Sequence, residues 1–329
     1  MAILFFIKVK NKMKDFIKSI KMCLSMFTTI SFPCKDWDES LRNKMLEVFP
    51  FVGIYISIIF CILFRILLVF INDISIYLIS LIIALYPYFA TGFIHLDGFM
   101  DVSDALSSCY NYEKMISILK DSHVGGFAVI KTVVLILTKY VATLTILLKV
   151  SKLEIEMRIL PNKILKYMLL FSITFIISRI MSSIALIILK KISISEYSEK
   201  TECIEIKNIV KDNMEIDAED NNGKKIANKN ENINIEKGLK HNRIKTFNKL
   251  LLPILIFILV IIISFLISFF YINSVKFLLR VVLQVFIVLI THIFLTHKCF
   301  KNFKGVNGDV SGYAICVSEC IGYIFIALL

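Results

Sequence analysis

Seven stretches of this chain are apolar for long enough to cross a lipid bilayer, and nothing else in the sequence restricts the fold as much. A helix needs roughly 20 residues to span the hydrocarbon layer. Ile74 to Ile94 and Leu250 to Ile272 carry no charge, and Phe277 to Thr296 carries only Arg280. Four more runs hold one or two charges each: Phe51 to Ile71 (Arg65), Val124 to Leu148 (Lys131 and Lys139), Tyr167 to Leu189 (Arg179) and Val310 to Leu329 (Glu319). Lipid offers no partner for a free peptide group, so such runs must form helices or a closed barrel. The two-residue alternation of barrel strands is absent. The sequence therefore predicts an all-α, polytopic transmembrane helical bundle of about seven spans. One integral-membrane domain covers residues 1–329. Its apolar share, 57%, exceeds the roughly 45–50% usual in soluble domains.

The net charge of +12 fits this membrane reading. Lys and Arg collect in cytoplasmic loops and against anionic lipid. No basic patch is interleaved with aromatics, so no nucleic-acid partner is expected. None of the eight cysteines forms a Cys-x-x-Cys pair, and they read as reduced and structural. The short apolar start precedes its lysines, the reverse of a signal peptide, so no cleaved leader is expected.

Lys8, Lys10, Lys12, Lys14, Lys18 and Lys21 place the amino terminus inside by the positive-inside rule. Alternating spans then put residues 95–123, 190–249 and 298–309 on the same side. The loop 149–166 disagrees, being basic on the expected outer side. Residues 191–249 interrupt the apolar pattern. From Lys190 to Lys249 there are 13 basic and 11 acidic residues, with seven Asn between Asn213 and Asn234. Such a stretch buries too little apolar surface to offset its chain entropy, so it is expected to be a disordered cytoplasmic insertion.

The chemistry-bearing segment runs from Thr91 to Ala105. Asp97, Asp101 and Asp104 are spaced i, i+4, i+7, on one face of a helix. Three like charges so close oppose one another's ionisation, and a divalent cation removes the conflict. Hard oxygen ligands suit Mg²⁺, with Mn²⁺ as a second choice, and Mg²⁺ usually takes few carboxylates plus substrate phosphates. The plainer alternative is an acidic first turn complementing the helix dipole. His95 is read equally as a catalytic group or a hydrogen-bonded interfacial His. Gly92 and Gly98 permit a backbone bend or a close phosphate.

In the following Lys120-Asp121-Ser122-His123 cluster, Lys120 would neutralise phosphate and Asp121 would join the metal set or start a helix. Asp309, flanked by glycines, stands on the same expected side. Arg179, mid-span, is expected to face an anion, with snorkelling or a structural ion pair as the alternatives. Arg65, Lys131, Lys139 and Arg280 read as snorkelling.

Gly92-Phe-Ile-His-Leu-Asp-Gly-Phe-Met-Asp-Val-Ser-Asp-Ala105 resembles the G-x-x-H-L-D-G-x-x-D-x-x-D-G/A block of the cobalamin synthase family. Phe27 to Pro33, Phe49 to Gly53, Met115 to Gly126, Ser178-Arg179 and Gly305 to Asp309 resemble further family blocks in order. Departures are Thr29 and Ile30 where Arg is usual, Asn307 where Thr is common, and the long separation of Tyr197 from Gly238. The resemblance implies a Mg²⁺-dependent enzyme that joins adenosylcobinamide-GDP to α-ribazole or its 5′-phosphate, releasing GMP. It also implies a bacterial plasma-membrane location, an active site on the cytoplasmic side, and association with other cobalamin-assembly enzymes. Other aspartate-motif membrane transferases fit less well. A CDP-alcohol phosphotransferase needs Asp-Gly-x-x-Ala-Arg between its acids, and a prenyltransferase needs a second Asp-rich block. An ion-coupled transporter would hold its acids mid-membrane, often in paired repeats.

Overall fold

The structure is a computed structural model that describes residues 2–30, 37–71, 73–108, 111–121, 123–156, 161–192, 246–272 and 274–329. The insertion expected at 191–249 lies almost wholly outside the described residues.

Every regular element among the described residues is helical. In order they are α1 (Ala2–Phe27), a 3₁₀ turn (Glu39–Leu41), α2 (Arg42–Val48), α3 (Pro50–Val69), α4 (Ile76–Ala90), α5 (Ile94–Ser108), α6 (Tyr112–Lys120), α7 (Gly126–Glu156) and α8 (Pro161–Ile188). After the insertion come α9 (Thr246–Phe269), running into a π-helical turn (Ile267–Ile272), then α10 (Val275–Phe303) and α11 (Gly308–Leu328). Local chemistry sets several boundaries. Pro50 opens α3, where its missing N–H has no helical partner to lose. Asn111, Ser274 and Asn307 cap α6, α10 and α11 by accepting from the N–H groups of Glu113, Phe277 and Val310. Lys304 ends α10 in the left-handed region at φ 54°.

Among the described residues, six helices are long and apolar enough to cross a membrane: α3, α7, α8, α9, α10 and α11. The expected span at 74–94 is not one straight helix. α4 stops at Ala90, and α5 leaves it at 88°. Pro87 removes a main-chain donor within α4, and Gly92 and Phe93 then take φ values of 58° and 63°. Only as a bent pair do α4 and α5 make a seventh crossing element.

α11 is the central helix and α9 the peripheral one. Two thirds of the α11 span (67%) is buried inside the protein, against 17% for α9. The apolar side chains that α9 leaves exposed, such as Leu255, Ile258 and Ile262, suit lipid. At one end of the core an aromatic cluster joins α3, α8 and α11. The rings of Phe60 and Phe171 lie 4.9 Å apart, and those of Phe171 and Tyr323 4.8 Å. Gly53 lets α3 and α8 close up: a Cβ there would stand 2.9 Å from both Ile176 Cα and Phe175 O. At the opposite end, the tail of α8 runs past the α10–α11 link, where the Ile192 N–H donates to Val306 O at 3.1 Å.

Gly53→Ala should therefore lower stability by about 1–3 kcal/mol, the usual range for overpacking a close contact. Thermal unfolding in detergent measures this. Gly126→Ala, with nothing within 4 Å of its new methyl, should stay near the parent value.

Candidate active site

Two glycines decide where the acidic face of α5 sits. α5 crosses α11 so closely that a Cβ on Gly98 would lie 2.7 Å from Asp309 Cα, and one on Gly312 would lie 2.8 Å from His95 O. Phe99 stacks on Tyr313 beside the crossing, with ring centroids 5.6 Å apart, and Cys316 Sγ donates to His95 O at 3.3 Å. Gly98 is thus a packing residue whose smallness brings Asp309 against the Asp97–Asp104 face. The expectation that Asp309 shares a side with the aspartates is met. The acidic part of α5 stands level with the ends of the spans, since Asp104 rests on Gly125, just before α7, and Gly98 on the first turn of α11.

Asp97 is exposed, while Asp101 and Asp104 are half-buried. Burial, then the charges of Asp97, Asp309 and Asp104, push the Asp101 carboxyl up to about 6. Asp104 Oδ1 is buried and finds no hydrogen-bond partner among the described residues. A side chain at Gly125 would collide with the Asp104 carboxylate, so this oxygen is held in a tight cradle. Asn307 Nδ2 donates to Asp309 Oδ2 at 2.7 Å and fixes that carboxylate.

An orphaned buried oxygen beside mutually opposed carboxylates fits a hard cation. The site is not a closed protein cage. Among the described residues, no three His, Cys, Asp or Glu side chains converge tightly enough to hold an ion by themselves. An ion here would take one or two carboxylates and complete its shell with substrate oxygens.

The remaining candidates stand apart. Lys120 is exposed at the end of α6. Asp121 accepts from the His123 main chain at 3.0 Å and pairs with its ring Nδ1 at 2.6 Å, which holds the Asp121 carboxyl below its usual range. Its observed partner is therefore His123, and Ser122 lies outside the described residues. His95 is buried, with its ring stacked on Phe49 and edge-on to Phe27. Its Nε2 has no hydrogen-bond partner among the described residues. The hydrogen-bonded interfacial His considered from sequence is not what is seen.

Arg179 realises the ion-pair alternative. Its Nη1 pairs with Glu319, and both side chains are buried. Glu319 also takes Lys139 at 3.4 Å, and Lys139 Nζ lies 4.5 Å from the ring centroids of Tyr88 and Tyr323. Lys139 is thus fully buried, which overturns the snorkelling expectation. Lys131 also turns inward, donating to Ser103 O at 3.3 Å and Ser107 Oγ at 2.5 Å on α5. Arg65 and Arg280 are exposed, as snorkelling requires. The Glu319 cluster was missed from sequence because pairing across spans leaves no periodic signal. The only hint was one acid among several isolated bases in apolar runs.

Glu319→Gln should destabilise the protein by about 3–5 kcal/mol, because it leaves two buried cations uncompensated. Adding Lys139→Met should recover part of that loss. Melting temperatures of the two variants in detergent decide it. If Glu319→Gln melts with the parent protein, the cluster does not hold the bundle.

Comparison with known proteins places this sequence in a family. The sequence model described as cobalamin-5-phosphate synthase matches residues 19–209 and 229–327, which include every helix that forms the site. An adenosylcobinamide-GDP ribazoletransferase of Clostridium perfringens (strain SM101) is 43% identical over 148 residues, 45% of this chain and 57% of that protein. Proteins of the same name are 39% identical over 128 residues in Clostridium botulinum (strain Eklund 17B) and 31% over 172 residues in Lachnoclostridium phytofermentans. Those matches cover 39% and 52% of this chain and 50% and 58% of the relatives. The chain thus spans about half the length of the curated relatives it matches. No solved structure matches. With a family model aligned along nearly its whole length, this chain belongs to the cobalamin-5-phosphate synthase family.

Proposed function

We propose that this protein joins adenosylcobinamide-GDP to α-ribazole, or to α-ribazole 5′-phosphate, giving adenosylcobalamin or its 5′-phosphate and GMP. The observation that carries the reading is the gathering of Asp97, Asp101, Asp104 and Asp309 by the Gly98–Gly312 crossing, at one end of a membrane bundle of this family. A ribose hydroxyl forms a new oxygen–phosphorus bond at the corrinoid-linked phosphorus. The bond to GMP breaks, and GMP leaves with the electron pair. Mg²⁺, or Mn²⁺, held by Asp97, Asp101 and Asp104 with Asp309 beside them, would supply compensation for the diphosphate charge.

The chain's own groups divide the remaining tasks. Asp97, the exposed carboxylate, has open access to a hydroxyl proton. His95 is walled in by Phe27, Phe49 and α11, which suits it to shaping the α5 turn. Lys120, exposed at the end of α6 and apart from the aspartates, carries a charge that suits an outer phosphate. Arg179 has its charge matched by Glu319, so it belongs to the bundle's interior. The basic residues Lys298, Lys301 and Lys304, near the end of α10, favour a cytoplasmic site.

GMP release from purified protein in detergent tests this directly. Asp97→Asn, Asp101→Asn and Asp104→Asn should each cut turnover by at least roughly 10²-fold and share a changed Mg²⁺ dependence. Gly98→Ala, which presses on the Asp309 main chain, should lower turnover with all four carboxylates present. Near-normal rates for all three Asn variants in saturating Mg²⁺ would falsify the assignment.

A further inference from the structure

A cavity of about 480 Å³ opens beside the aspartates, where the end of α1 meets the break between α4 and α5. Asp97 forms part of its wall, so the cavity and the acidic cluster share a carboxylate. Its other polar walls are Thr28, Thr29 and Thr91. No Lys, Arg or His lines it among the described residues.

The hydrogen-bond inventory of this lining is one-sided. Thr28 Oγ1 donates to Leu24 O at 2.7 Å, Thr29 Oγ1 to Phe89 O at 2.9 Å, and Thr91 Oγ1 to Pro87 O at 2.8 Å. Each hydroxyl proton is therefore already placed, and each oxygen keeps lone pairs to offer. The main-chain donors are committed as well. The N–H groups of Thr28 and Thr29 go to Leu24 O and Ala90 O, and those of Thr91, Gly92 and Phe93 to Pro87 O, Phe89 O and Tyr88 O. Ile94 and Asp97 donate to Thr91 O and Phe93 O.

Among the described lining residues, the threonine and Asp97 oxygens accept hydrogen bonds, and the donors named above are already used. A phosphate, which brings only acceptors at neutral pH apart from one weakly acidic proton, finds no Lys, Arg or His among the described lining residues, and only a cation held on Asp97 and its neighbouring aspartates would receive it. A ligand seated here must bring its own O–H or N–H groups. The volume lies in the lower part of the range for small-molecule sites, enough for a nucleoside and too small for a corrinoid carrying GDP. Met26, Phe93 and Ile94 supply the apolar wall. Phe93 holds φ at 63°, a conformation that a bulky non-glycine residue adopts only when its surroundings enforce it. Its ring packs edge-on against Phe89, with centroids 5.0 Å apart, and leaves an exposed aromatic surface at the lip.

We infer that this cavity seats the nucleoside acceptor: a neutral, hydroxyl-bearing ribonucleoside that donates to the threonine oxygens and to Asp97. The inference rests on the transfer reaction proposed above, in which that acceptor is α-ribazole. A 5′-phosphate on the acceptor is placed outside these lining residues, toward the cation that the aspartates would hold. The corrinoid and its diphosphate approach from the other side of Asp97, over Asp101, Asp104 and Asp309.

Two variants of the full chain in detergent test the assignment. Met26→Trp fills the cavity from a half-exposed position, and Thr29→Val removes one acceptor oxygen while keeping the side-chain shape. Both should raise KM for α-ribazole, at least about tenfold for Met26→Trp, and leave KM for adenosylcobinamide-GDP within about twofold. Equilibrium dialysis without the corrinoid should show α-ribazole held by the parent protein and lost from Met26→Trp, with inorganic phosphate not competing. An unchanged α-ribazole KM in both variants, or a rise confined to the corrinoid substrate, overturns the subsite while leaving the transfer reaction standing. α-Ribazole binding that Met26→Trp abolishes, in a protein that releases no GMP, keeps the subsite and rejects the reaction. A parent protein that neither binds α-ribazole nor releases GMP rejects both.

Discussion

One carboxylate in the interior organises this bundle. Glu319 stands ten residues along α11 from Asp309, roughly 15 Å deeper at 1.5 Å per residue, and it holds both Arg179 of α8 and Lys139 of α7. An isolated ion at that depth would be driven to neutralise or to draw in water. Two cations and one anion, boxed by Tyr88 and Tyr323, share the cost among three helices. The pairing fixes the rotation of α7 and α8 about α11, because a turn of about 100° on any of them would strand a charge in hydrocarbon. Apolar faces in lipid lack that sense of register, since a leucine gains as much from lipid as from a neighbouring helix.

With those three helices set, their ends at the other level are set too, and the acidic cluster is built on those ends. α5 lies against both α7 and α11. Lys131 ties its last turns to α7 through Ser103 and Ser107, and Gly98 and Gly312 let its first turns sink against α11. Asp309 is brought to the α5 aspartates by the absence of two side chains. The resulting crowding of acids is unfavourable in itself, and it adds to the effect of burial on the Asp101 carboxyl. Crowded charge of this kind is characteristic of sites that meet a charged ligand.

The break after α4 serves the same end. An unbroken helix from Ile76 onward would carry the Asp97 face along the α4 axis, away from α11. Pro87 and Gly92 make the turn local, Thr91 and Thr29 donate their hydroxyls to its free carbonyls, and a pocket lined by threonine oxygens and Asp97 remains at the elbow. α9 behaves in the opposite way. It has few buried residues and a single charge, Lys249 near its start, so its position answers mainly to the lipid.

The sequence by itself determined the class of fold, because backbone groups in lipid have one economical solution and the apolar runs are long enough to require it. It also singled out the candidate acidic face. The i, i+4, i+7 spacing of Asp97, Asp101 and Asp104 is a local property of a helix, legible without any partner. Only the tertiary structure decided which distant groups join them. It brought Asp309 to the cluster, gave Asp121 to His123, turned His95 into a wall, and paired Arg179 and Lys139 with Glu319. It also bent 74–94 into two helices. Each of these depends on how close two helices approach or on which face one presents to another. That information is carried by small side chains and by single charges on separate spans, and it becomes readable only when the spans are packed.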